Sequence, residues 1–337
     1  MEDAMVHTPE VVVITGANAG IGRAAARAFA QRGAHVALLA RDEQRLEETR
    51  REVEQRGGKA IAIPTDVADA AQVEAAADRT EQELGPIDIW VNNAMTTILA
   101  PLDQISPADY KRVTDVTYHG FVWGTMAALK RMRPRNRGTV VQVSSALAYR
   151  SIPLQSPYCG AKHAIKGFTD SVRTELLHDK SKVHITSLEM PGINTPQFEW
   201  CKTTLSCHPK PMGRYFQPEV AARAIVWAAH ARRREVHVGS PSMLTIIAAK
   251  LAPGLFDRYL ALTGIKGQQT NEPIPDGRPA NLWQPVPGSY EAHGSFDEEA
   301  HKHSIGLWFS MYRNCYLPAA SGLATWPAGG KGSEAGD

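Results

Sequence analysis

The chain has 337 residues, 43% apolar and 21% charged, with a net charge of +2. This is an ordinary balance for a folded domain, with no acidic or basic excess that would point to nucleic acid or to a highly charged partner. The opening MEDAMVHTPE lacks the basic-then-apolar pattern of an export signal, and no stretch reaches the ~18 uncharged apolar residues of a membrane span, so a cytoplasmic protein is expected.

From residue 11 onward, short β-rich runs alternate with longer helical segments. VVVIT (11–15), HVALLA (35–40), KAIAIPT (59–65), IDIWVNN (87–93), GTVVQVSS (138–145), VHITSLEM (183–190) and EVHVG (235–239) read as strands. Most are apolar without strict alternation, the pattern of parallel strands covered on both faces. Between them lie helical stretches such as RDEQRLEETRREVEQRG, with a charged face and a terminating Gly57-Gly58. Seven such repeats predict an α/β fold: a Rossmann-type, doubly wound, seven-stranded parallel sheet with helices on both faces. The expected layout is an N-terminal tail over 1–10, a catalytic domain over 11–239 and a C-terminal extension over 240–337.

After the first strand comes TGANAGIG, in which Gly16, Gly20 and Gly22 precede a helical segment, with Asn18 and Ile21 between them. A phosphate approaches a helix N-terminus closely only where no Cβ intervenes, and the exposed N–H groups there favour its charge. The plain alternative is a tight glycine turn. At the end of the second strand stand Ala40-Arg41 rather than the carboxylate that would hold the ribose hydroxyls of NAD. A guanidinium at Arg41 suits the 2′-phosphate of NADP, although Ala19 in the turn is not basic; the plain alternative is a surface Arg41 beside an Asp42 that caps the next helix.

Tyr158 and Lys162 lie four apart in SPYCGAKHA and so share a helix face. Alone that spacing is weak. Taken in order with TGANAGIG, the NNA at 92–94 and Ser145, it resembles the short-chain dehydrogenase/reductase family over residues 11 to about 239. The resemblance implies that Tyr158 is the general acid/base, Lys162 its activator and Ser145 the holder of the substrate oxygen. An ammonium and a cationic nicotinamide beside a phenol would favour the phenolate. The resemblance further implies cofactor contacts at Asp66 and Val67, at Asn93 and Ala94, and at Pro191, Gly192 and Thr195 of PGINT. Asp66 has a second reading as a helix cap. Thr117 stands where the family usually has an Asn that holds a water next to the Lys, so it is a catalytic candidate with an altered relay.

The expected cofactor is NADP, with NAD the lesser alternative. The expected substrate is a bulky apolar ketone or secondary alcohol, because Phe198, Trp200, Tyr215 and Phe216 follow the Pro-Gly turn; these aromatics would also suit a core. Two other functions stay open: a reductase of carrier-bound 3-oxoacyl chains, and a scaffold that binds NADP without turnover. The family implies a homodimer or tetramer. Cys159, Cys201, Cys207 and Cys315 are irregularly spaced and read as reduced thiols; Cys201 and Cys207-His208 make at most half a metal site, so no metal is expected.

Residues 240–337 break the rhythm. MLTIIAAKLAPGLFDRYLAL reads as two amphipathic helices divided at Pro253-Gly254, with Leu255, Tyr259 and Leu262 at helical spacing. The remainder is rich in Pro and Gly yet aromatic, which argues against pure disorder. It reads as an arm folded onto the domain or a partner, a lid over the substrate, or an anchor on a membrane surface. The closing AGGKGSEAGD is expected to be a mobile tail.

Overall fold

The computed structural model describes residues 9–288 and 290–316, so the expected mobile tail and most of the N-terminal tail lie outside the described residues. The first strand shows why the sheet forms. All five residues of β1 (Val11–Thr15) are buried, with Val12 and Ile14 in one apolar cluster and Val11 and Val13 in another. Side chains alternate across a strand, so four consecutive apolar residues need cover on both faces. The other strands are β2 (His35–Ala40), β3 (Ala60–Pro64), β4 (Ile89–Asn92), β5 (Thr139–Ser145), β6 (His184–Met190) and β7 (Glu235–His237). They form one parallel sheet in the order β3-β2-β1-β4-β5-β6-β7, as the sequence predicts.

The cover comes from helices α1 (Gly20–Ala30), α2 (Glu43–Gln55), α3 (Ala70–Leu84), α4 (Pro107–Thr114), α5 (Gly120–Arg135), α6 (Ser156–His178), the one-turn α7 (Gln197–Trp200) and α8 (Pro218–His230). On one face α1 and α8 pack together through Phe29, Ala224 and Ile225; on the other, α3 and α5 bury Val73, Ala127 and Met132. Helix starts follow local chemistry. Asp42 accepts from the Arg45 N–H at 3.0 Å to cap α2, and Asp69 caps α3. Asp69 thus takes the role that was the second reading of Asp66.

The strand order reverses between β1 and β4, which opens a crevice beyond their carboxyl ends. Ser145 pairs in register with Met190, so Ser145 and Pro191-Gly192 emerge side by side at the same edge. The C-terminal extension starts with α9 (Ser240–Leu251) and α10 (Pro253–Thr263), which break at Ala252 just before Pro253-Gly254, and its last described helix is α11 (Ile305–Tyr316). Gln269–Pro273 pairs antiparallel with Cys207–Pro209. Between that strand and α11 an irregular segment lies over the crevice and buries Leu282, Val286 and Ala292. Cys159, Cys201 and Cys207 are free thiols, while the side chain of Cys315 lies outside those described.

Candidate active site

The turn after β1 needs its glycines. Gly16 and Gly20 have φ of +68° and +54°, a region that penalises a Cβ. A Cβ on Gly22 would sit 2.1 Å from the Gly16 carbonyl oxygen, so only glycine lets α1 begin this close to the turn. Asn93 braces the same turn from β4, its Nδ2 donating to the Thr15 carbonyl at 2.9 Å. The Thr15 hydroxyl accepts from the Asn93 N–H at 2.9 Å and the Ala94 N–H at 3.0 Å.

Around this turn runs a cleft lined by Gly16, Asn18, Gly20 and Ile21, by Arg41, by Asp66 and Val67, and by Asn93, Ala94 and Thr195. The sequence-predicted cofactor residues are thereby gathered, with Gly22 directly behind the turn and Pro191-Gly192 further along. The cradle fits a dinucleotide, because Gly16 and Gly20 line it without side chains and α1 begins at it with its N-terminus.

The cleft continues into a second one of about 370 Å³, with Ile21, Asn93, Met95, Thr195 and Gln197 as shared walls. Ser145, Tyr158 and Lys162 lie together in it, with Pro191 and Gly192 alongside. The Tyr158 and Ser145 side chains line the same wall of this cleft. Burial raises the phenol well above its usual range, and the contact with Ser145 opposes this. Lys162 is buried one helical turn on. Its Nζ donates to the Val143 carbonyl at 2.8 Å and stands 5.4 Å from the Tyr158 ring centre and 4.7 Å from that of Phe121. Burial pulls its pKa down to about 7, against the charge of Glu189, whose own carboxyl burial lifts to about 7.

Thr117 is buried in a π-turn (Asp115–His119) between α4 and α5. Its hydroxyl donates to the Thr96 carbonyl at 2.9 Å and accepts from the Thr96 N–H at 3.1 Å. The hydroxyl's proton and one of its two acceptor lone pairs thus serve one neighbour, and the side chain braces the loop after β4. The four aromatics after the Pro-Gly turn divide: Phe198 lines the reaction cleft, Trp200 lines the nucleotide cleft, and Tyr215 and Phe216 are buried core. Part of the apolar wall comes instead from Met212 and from Phe256, Tyr259 and Leu260 of α10. The helical spacing of Tyr259 was visible in the sequence, whereas its place at the site was not.

The strongest departure from expectation concerns Arg41. Its guanidinium donates to the main-chain carbonyls of Asn281, Leu282 and Trp283, the last at 2.7 Å. Arg45, 4% exposed, donates to the carbonyls of Val286 and Gly288 and lies over the rings of Trp200 and Tyr290. Arg112 pairs with Asp66 at 2.7 Å and also donates to the Leu282 carbonyl. Even the Gly20 N–H, at the start of α1, donates to the Glu291 carbonyl at 3.0 Å. Residues 281–288 and 290–291 therefore form a strap whose main chain holds Arg41 and the Gly20 N–H, two groups expected to meet the dinucleotide, together with Arg45 and Arg112.

Comparison with known proteins agrees with this geometry. The short chain dehydrogenase family profile matches residues 10–204. An uncharacterized oxidoreductase, YxnA, of Bacillus subtilis is 33% identical over 78% of this chain and 75% of its own length. A fatty acyl-CoA reductase of Acinetobacter baylyi is 30% identical over 71% of this chain and 80% of its own. Among solved structures, an alcohol dehydrogenase from the archaeon Thermococcus sibiricus, complexed with 5-hydroxy-NADP, matches with a TM-score of 0.59 and 27% identity over 68% of this chain and 95% of its own. With the family's profile spanning more than half of the chain and its motif residues converging on one cleft, the protein belongs to the short-chain dehydrogenases/reductases, enzymes that act on CH–OH and C=O groups.

Proposed function

We propose that the protein is an NADP(H)-dependent carbonyl reductase or alcohol dehydrogenase for bulky apolar substrates, with Tyr158 as the proton donor. The observation that carries this reading is the meeting of Ser145, Tyr158 and Lys162 in an apolar-walled cleft continuous with the glycine turn. A nicotinamide bound along the turn supplies or accepts hydride. The chain's own groups handle the oxygen. A phenol kept protonated by burial is ready to donate to a carbonyl oxygen as negative charge develops there, and its phenolate takes the proton back in the reverse direction. The Ser145 hydroxyl aligns the same oxygen. An amine with a pKa near 7 at Lys162 can return a proton to Tyr158 at neutral pH.

Arg41, with Ala40 before it in place of a carboxylate, supports NADP over NAD once the strap's carbonyls release the guanidinium. Phe198, Phe256, Tyr259 and Leu260 support an apolar substrate. The family resemblance favours a homodimer or tetramer through α4–α6, and exposed Met126 and Leu177 suit such contacts; light scattering reports it.

The test is a panel of ketones and alcohols followed at the nicotinamide absorbance with each cofactor. Tyr158→Phe is expected to lower turnover by about 10²–10⁴-fold while dinucleotide binding is retained. Undiminished turnover in that variant would rule out the assignment.

A further inference from the structure

Among their described residues, helices α9, α10 and α11 leave many large apolar side chains exposed. On α10 only Leu260 is fully buried, while Leu255 is 69% and Leu262 81% exposed, with Tyr259 exposed between them at i+4. On α9, Met243, Ile247 and Leu251 repeat at the same interval, and Leu251 is 81% exposed. On α11, Ile305, Phe309 and Tyr312 continue the pattern. Each helix thus exposes an apolar stripe at helical spacing, and α9 packs against both others. Exposed apolar side chains repeated at helical spacing on helices packed against one another mark a surface that meets a partner.

We propose that this face rests on a lipid bilayer carrying anionic headgroups, and that the reaction cleft draws its apolar substrate from there. Two observations favour a bilayer over a second copy of the chain. The first is continuity: Phe256, Tyr259 and Leu260 of α10 line the reaction cleft, and Tyr259 is exposed on the stripe as well. A protein seated on the stripe would cover that approach, whereas a fluid bilayer would leave a path for an apolar molecule. The second is charge. Between residues 240 and 266 there are three cations, Lys250, Arg258 and Lys266, and one carboxylate, Asp257, for a net charge of 3 − 1 = +2. Asp257 is engaged by Arg150, and the three cations are exposed and have no carboxylate partner among the described residues. An amphipathic face edged with Lys and Arg suits an interface that is apolar within and anionic at its surface. No described helix is long and apolar enough to cross a membrane, so the contact is peripheral. The drawing of substrate from the bilayer rests on the proposed apolar substrate; the docking does not.

The test is co-sedimentation of the full chain with vesicles of phosphatidylcholine alone and of phosphatidylcholine mixed with phosphatidylserine. Binding to the mixed vesicles is expected, and weakening by salt. The double variant Leu255→Glu/Leu262→Glu should lower the partition coefficient at least about tenfold. The triple variant Lys250→Glu/Arg258→Glu/Lys266→Glu should lower it on the order of a hundredfold. Both sets of side chains face solvent, so circular dichroism should show native spectra, and turnover of a water-soluble ketone should be unchanged. No binding to either vesicle overturns the proposal, as does binding that both variants retain. An oligomer that Leu255→Glu/Leu262→Glu dissociates, without vesicle affinity in the parent chain, assigns the face to a second copy and also overturns it. Vesicle binding without carbonyl turnover sinks the Tyr158 reading and supports this one; turnover without vesicle binding does the reverse.

Discussion

Lys162 and Glu189 place two buried ionisable groups near one another, and their effects on stability run in opposite directions with pH. Glu189 rises from its ordinary value to about 7, so between about 4.5 and 7 the native chain holds a proton that the unfolded chain has released. Its contribution is full below that window and is lost as pH rises through it. Lys162 falls from 10.5 to about 7, so across that window the unfolded chain holds the extra proton, and stability recovers as pH rises. A dip near neutral pH is expected. Glu189→Gln should remove the acid limb, worth about 3 kcal/mol at most, in urea midpoints measured from pH 4.5 to 7. An unchanged slope would refute the burial argument. At the other end of the cleft, Gly22→Ala puts a methyl 2.1 Å from the Gly16 carbonyl oxygen and 2.8 Å from Asn93 Nδ2, both held in place. The turn must open, at a cost of about 1–3 kcal/mol in stability. Dinucleotide affinity by calorimetry should fall at least about tenfold, since the anion site depends on that spacing.

Elements place these residues in reach of one another. The first two turns of α6 set Tyr158 and Lys162 on one face, β5 delivers Ser145 to the sheet edge, and the β1–α1 turn supplies the anion cradle. All three were legible, because strand ends, i,i+4 spacing and glycine conformation are short-range properties. The strap is different. Its contacts with Arg23, Arg41, Arg45 and Arg112 join positions about 170 to 267 residues apart and run mainly through main-chain carbonyls, which any residue type supplies. No residue pattern announces them. Arg41→Ala is expected to weaken NADPH binding roughly 10–100-fold and NADH binding far less, because only the former carries the 2′-phosphate. It should also speed proteolytic nicking near 281–283, since the Asn281 and Trp283 carbonyls lose the Arg41 donor while that of Leu282 keeps Arg112. Equal loss for both cofactors would dismiss the phosphate role.

The whole molecule is a dinucleotide-binding sheet with its C-terminal extension folded over the crevice, so the boundary expected at residue 239 does not separate two independent cores. Leu307 of α11 packs in the same cluster as Val12 and Ile225, and Leu282 packs with Ile98 and Val113. A chain ending at Gly239 would lose those contacts and leave the buried guanidiniums of Arg45 and Arg112 without their carbonyl partners. Its Tm should fall by roughly 10 °C in a calorimetric scan. An unaltered Tm would show that the extension adds nothing to the core.

By itself, the sequence determined the seven-stranded parallel sheet, the glycine turn and the Ser145, Tyr158 and Lys162 set. Each is written in periodicities of two to four residues or in the conformational freedom of glycine. Only the tertiary structure decided which aromatics wall the cleft, that Thr117 bonds Thr96, and that Arg41 is held by a strap 240 residues distant. Those outcomes depend on chain segments meeting across the fold through surfaces and backbone oxygens, which carry no local code.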